Sequence, residues 1–204
     1  MKDQIGRHWL GGLRLALAFT LASLLTGCAS FYVDSATPEV AASEYKKPVP
    51  LQPVQVLFQF QSKGVSNDVA TKQLKGRVIE QVRSSGLFAS VSEQPVAGAA
   101  LLALTLNNVP LDDSAFAKGF VTGLTFGLAG SKVSDGYVLT LNYRSDQVSP
   151  QSKQARHAIH TTIGAAAAPG NAVKAASVEE AVYLMTRQVM SQGLKALSDD
   201  PAFR

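Results

Sequence analysis

Residues 135–145 read DGYVLTLNYRS, with Tyr137, Leu139, Leu141 and Tyr143 on one side of a period of two and Val138, Thr140 and Asn142 on the other. Successive side chains of a strand point to opposite faces, so this pattern demands a sheet packed on one face and more polar on the other. The stretch VQVLFQFQ obeys the same rule: Val54, Val56, Phe58 and Phe60 alternate with Gln55, Gln59 and Gln61, and Leu57 interrupts the polar side. ALLALTLNNV, residues 100–109, predicts a third strand ended by Pro110. Residues 87–91 predict a short strand, and ARHAIHTTIG a weaker one.

Two segments carry the other period. Asn67 or Asp68 can cap a helix in which Leu74, Val78 and Val82 recur at four-residue steps, with Gly86 placed to stop it. Ser177 with Glu180 forms a capping box for a second helix running to about Leu197, with Val178, Ala181, Val182, Met185, Val189 and Leu194 as its apolar stripe. Strands and helices in this order predict an α+β fold: one mostly antiparallel sheet with two helices packed on it. A composition of 46% hydrophobic and 17% charged residues over 204 positions suits one domain with a core of this kind.

The first residues do not belong to that core. Lys2, Arg7 and Arg14 precede or enter an apolar run from Leu15 to Leu25, which is the pattern of an export signal and too short to span a bilayer stably. Its end, Leu25-Thr26-Gly27-Cys28, resembles the lipobox of bacterial lipoproteins: a large apolar residue, two small ones and a cysteine. The resemblance implies cleavage before Cys28, a diacylglycerol on its sulfur and an acyl chain on its new amino group. Ala29, rather than aspartate, follows the cysteine. By the same resemblance the product is expected at the outer membrane, on its periplasmic face. Cys28 is the chain's sole cysteine. Acylation would therefore leave no thiol for disulfides, catalysis or metal ligation.

The chain is expected to divide into a signal peptide over residues 1–27, a lipidated tether over 28–53 and a periplasmic α+β domain over 54–204. Proline and small residues without a sustained period make the middle part read as a flexible linker, with a reach of roughly 25–30 Å. The helix followed by SGLFASV, residues 85–91, resembles an architecture of accessory lipoproteins in secretion, lipid transport and cell-wall synthesis. No functional residue follows from that likeness.

GFVTGLTFGLAG, residues 119–130, is the least ordinary stretch. As a helix it stacks Gly119, Gly123 and Gly127 on one side, the small-xxx-small pattern of close helix contact, with Phe116, Phe120, Leu124 and Leu128 beside them. As a strand it alternates small residues with bulky ones such as Phe126. Both periods fit. Three interior glycines each cost a helix about 0.8–1.0 kcal/mol against alanine, so a helix here would need a partner surface. Three readings stay open: a segment packed in the monomer, a membrane-inserting or self-associating element, and a loop that orders on a partner. Phe116, Gly119, Phe120, Gly123, Leu124, Phe126, Gly127 and Leu128 are the expected contact residues.

Conventional chemistry has few candidates. His157 and His160 would share a helix face, but the composition around them favours a strand, which points them to opposite sides as solvated histidines. Asp112-Asp113 reads as a turn and Glu179-Glu180 as first-turn helix charge. Neither Ser84-Ser85-Gly86 nor Gly130-Ser131-Lys132 has the spacing of a nucleophile elbow or a phosphate loop. Of the formal charge of +4, the leader holds two, leaving +2, too little to argue for nucleic acid. The expectation is a non-enzymatic lipoprotein needing no cofactor or metal, tethered to the membrane and binding an envelope protein. The alternative is a lipid-handling or membrane-inserting component that uses residues 115–131 as a homo-oligomer.

Overall fold

The computed structural model describes residues 29–111, 132–164, 167 and 169–203. Its sheet strands are β1 (Ala29–Asp34), β2 (Pro53–Ser62), β3 (Val65–Ser66), β4 (Ser90–Ser92), β5 (Ala100–Pro110), β6 (Lys132–Arg144), β7 (Gln151–Ile163) and β8 (Ala172–Ala175). Helices α1 (Asp68–Ser84) and α2 (Val178–Asp199) complete it. The order across the sheet is β3-β2-β5-β6-β7-β1-β8, with β4 beside the start of β2. The β2 pairings with β4 and β5 are parallel and the rest antiparallel, which makes this an α+β fold with a mostly antiparallel sheet.

Local signals set the helix ends. The Asn67 side chain accepts from Ala70 N at 3.0 Å. Ser177 Oγ accepts from Glu180 N at 3.1 Å, while Glu180 reaches back to Ala176 N at 2.6 Å. Gly86 ends α1 with φ +65°, the left-handed conformation that favours glycine.

Both helices bury their stripes on the same sheet face, except for Val178 of the expected α2 stripe, which is exposed at the helix start. Leu74, Val78, Ile79 and Val82 of α1, and Met185, Val189, Leu194 and Leu197 of α2, join Val54, Val56, Phe58, Phe60, Leu102, Leu104, Leu106, Leu139 and Leu141 in one core. The opposite face carries Leu57, Gln59, Thr105, Asn107, Thr140 and Gln154, all at least partly exposed. The half-polar alternation of β2 and β6 thus matches one face buried under the helices and another that is partly exposed along these two strands.

The structure corrects the expected tether over residues 28–53. Ala29–Val33 pair with Ile163–Ile159 of β7, and Phe31–Asp34 with Ala175–Ala172 of β8. From Asp34 the chain crosses onto α2, where Val40 N donates to Ser191 Oγ at 2.9 Å and the Tyr45 hydroxyl to Ser191 O at 3.3 Å. Proline and small residues here mark a chain that wraps the domain, because its partners come from β7, β8 and α2. The predicted short strand also begins later than residue 87: Leu87 and Phe88 are core side chains on the approach to β4.

Candidate functional site

Leu25, Thr26, Gly27 and Cys28 lie outside the described residues, as do Phe116, Gly119, Phe120, Gly123, Leu124, Phe126, Gly127 and Leu128. The described residues next to the two stretches are Ala29, Leu111 and Lys132. Ala29, one peptide bond from Cys28, pairs with Ile163 at the end of β7. Lys132, where the chain returns from the glycine-rich stretch, is opposite Thr162. Leu111, where the chain departs, donates its N–H to Ser134 O at 3.0 Å. Neighbouring strands are about 4.8 Å apart, so Ala29 and the start of β6 are separated by about 10 Å, with β7 between them. Ala29, Leu111 and Lys132, the described neighbours of the two stretches, therefore lie at one end of the sheet.

A polar relay crosses the strands at this end. His160 of β7 stands between Ser134 of β6, whose Oγ lies 2.8 Å from Nδ1, and Asp34 of β1, whose Oδ2 lies 3.3 Å from Nε2. Asp34 Oδ1 also accepts from Ala36 N at 2.7 Å. Asp34 and His160 are buried, at 0% and 2% exposure. Burying such groups is tolerable because each finds a partner. The composition is that of a Ser-His-Asp hydrolase relay, but Ser134 lies within the extended run of β6 and not on the sharp strand-to-helix turn that lifts a nucleophile out of a sheet. The arrangement ties β1 to β7 and β6.

His157 faces the other way, with Nε2 2.8 Å from Gln188 Oε1 of α2. The strand reading put the two histidines on opposite sides, and they are. The expectation that they are solvated is corrected, since His157 has 0% exposure. Burial pushes its pKa below the ordinary histidine value, against the opposing hydrogen bonds from Gln188 and the Ala158 backbone. No group of three or more His, Cys, Asp or Glu among the described residues is arranged to hold a metal.

A groove of about 770 Å³ runs between α1 and α2, lined in part by Arg77, Glu80, Glu179, Tyr183, Thr186 and Arg187. Its charges are engaged within the domain. The Arg77 guanidinium lies 3.6 Å from the Tyr183 ring centroid, the Tyr183 hydroxyl donates to Glu179 at 2.6 Å, and Arg187 pairs with Glu39 at 2.7 Å. The first contact joins the two helices, the second lies within α2 and the third ties α2 to the segment before β2, and none of them pairs a nucleophile with a base.

Sequence reasoning missed Asp34 and Ser134. An aspartate in an expected linker and a serine before DGYVLT carry no local sign of their meeting, which strand pairing alone brings about.

No family model matches the chain, and no curated protein matches it. Among solved structures it is similar to rare lipoprotein B from Shewanella oneidensis, with TM-score 0.39 and 13% identity over 71% of this chain and 92% of that one. It is also similar to a minor lipoprotein from Acinetobacter baumannii, with TM-score 0.36 and 11% identity over 74% of this chain and 90% of that one. A third is a PelC dodecamer from Paraburkholderia phytofirmans, with TM-score 0.30 and 12% identity over 82% of this chain and 98% of that one. Similarities of this size do not extend function from those proteins to this chain.

Proposed function

We propose that this chain is a lipid-anchored, non-enzymatic accessory protein of the bacterial envelope. It is held at the periplasmic face of the outer membrane and presents residues 116–128 to a protein partner. The observation that carries the reading is the shared sheet end: Ala29, next to the lipobox cysteine, pairs with Ile163, two strands from the residue at which the glycine-rich stretch returns. An acylated Cys28 would hold that end at the bilayer. Two or three acyl chains on one residue make release negligible, because one chain alone binds only marginally. The partner is therefore a protein in or on the same membrane, and confinement raises its effective concentration.

The same geometry supports a second reading, in which residues 115–131 enter the bilayer within a homo-oligomer. A photocrosslinker at Phe120 in living cells separates the two. Crosslinks to an envelope protein support the first, and crosslinks to lipid or to a second copy support the second. Palmitate labelling of the wild type but not of Cys28→Ser, with outer-membrane fractionation, is expected for either. An unacylated wild type overturns both.

A further inference from the structure

Ten large hydrophobic side chains are exposed among the described residues. Scattered singly, such residues need no explanation. Three have a placement in common. Val133 is the second residue of β6, Ile163 the last of β7 and Val178 the first of α2, and they are 54%, 48% and 53% exposed.

The strand register gathers them. Ile163 is the partner of Ala29, and Val133 lies opposite Thr161, the residue that also faces Phe31 of β1. By alternation from Tyr137 and Leu139, Val133 points to the helix-bearing side, as does Ile163 by alternation from His157 and Ile159. Helix α2 starts on that side directly after β8, whose last residue, Ala175, is opposite Phe31. The three aliphatic side chains thus rim the sheet end at which β1 begins.

The distance available to the anchor is short. Consecutive Cα atoms are 3.8 Å apart and paired residues about 5 Å, so the Cα of Cys28 is within about 10 Å of that of Ile163. The headgroup layer on each side of a bilayer is itself about 5–8 Å thick. With β1 starting at Ala29, no free linker separates the acyl chains from the sheet. We infer that the end of the domain bearing Val133, Ile163 and Val178 lies directly against the phospholipid surface, which fixes the orientation of the domain on the membrane. Lys174, Glu179 and Glu180 nearby are exposed and of mixed sign, so the contact needs no anionic lipid. This inference rests on the lipid anchor proposed above.

The test uses the full acylated protein in phosphatidylethanolamine–phosphatidylcholine vesicles. Because Cys28 would be blocked as a thioether, an introduced cysteine offers the only thiol for an environment-sensitive dye. Ile163→Cys and Val178→Cys report on the rim. Val96→Cys, at the opposite end and 47% exposed, is the matched control. Expected are blue-shifted emission and quenching by nitroxide-bearing lipids at positions 163 and 178, with neither at 96. Vesicle-bound protein with all three positions alike overturns the inference and leaves the anchor standing. A blue shift at 163 and 178 without lipid quenching also overturns it, since the rim is then covered by protein. Failure of the wild type to float with vesicles overturns the anchor and the inference together.

Discussion

Removing the Asp34 carboxylate tests whether the chain after Cys28 is a strand or a linker. Asp34 Oδ1 accepts from Ala36 N and Oδ2 from His160 Nε2, in a site where both Asp34 and His160 are buried. Asp34→Ala deletes both acceptors and leaves the His160 Nε2 side without its carboxylate. Hydrogen bonds to charged groups are worth about 1.5–3 kcal/mol each, and breaking a buried pair costs about 3–5 kcal/mol. The Asp34–His160 contact is long and the bond from Ala36 N is only part-buried, so a loss of about 2–4 kcal/mol is expected. Asp34→Asn should cost about 1 kcal/mol or less. Its carbonyl can take the Ala36 N–H while its amide donates to Nε2, provided His160 moves its hydrogen to Nδ1 and donates to Ser134 Oγ. Urea unfolding of the folded domain reads the difference: with a slope of about 2 kcal/mol per molar, the midpoint of Asp34→Ala falls by about 1–2 M. Limited proteolysis should then cut first between residues 29 and 53. A midpoint for Asp34→Ala within about 0.25 M of wild type, equivalent to about 0.5 kcal/mol and the usual effect at an exposed site, would refute the reasoning.

Gly193 of α2 sits where an added Cβ would be 2.6 Å from Cδ2 of the buried Leu139. Helix propensity alone predicts that Gly193→Ala stabilises by about 1 kcal/mol, whereas overpacking costs about 1–3 kcal/mol. A lower melting temperature is expected, partly restored by Leu139→Val in the same chain, and a clear rise contradicts the packing. For His157 the lowered pKa means the unfolded chain takes up a proton before the folded one does. Its contribution is complete above the unfolded value of about 6.5 and is lost as pH falls from there toward the folded value. The fall in urea midpoint between pH 7.5 and 5.5 should therefore shrink in His157→Gln, and an unchanged fall assigns the pH dependence to other groups.

The parts of the fold legible in the sequence are those whose determinants are neighbours along the chain. Alternation across residues 54–61 and 135–143 yielded β2 and β6, and the Asn67 and Ser177–Glu180 caps placed both helix starts, because a cap acts within one turn. Residues 29–34, ASFYVD, are too few to declare a period, and their strand exists through β7 and β8, more than a hundred residues away. The same pairing buries Asp34 beside His160, which composition alone leaves in solvent. Tertiary structure likewise decided that Ala29, Leu111 and Lys132, the described neighbours of Cys28 and the glycine-rich stretch, lie at one end of the sheet. A strand's two ends and its face are local properties, but its neighbours follow from how the whole sheet minimises exposed apolar surface and unpaired backbone.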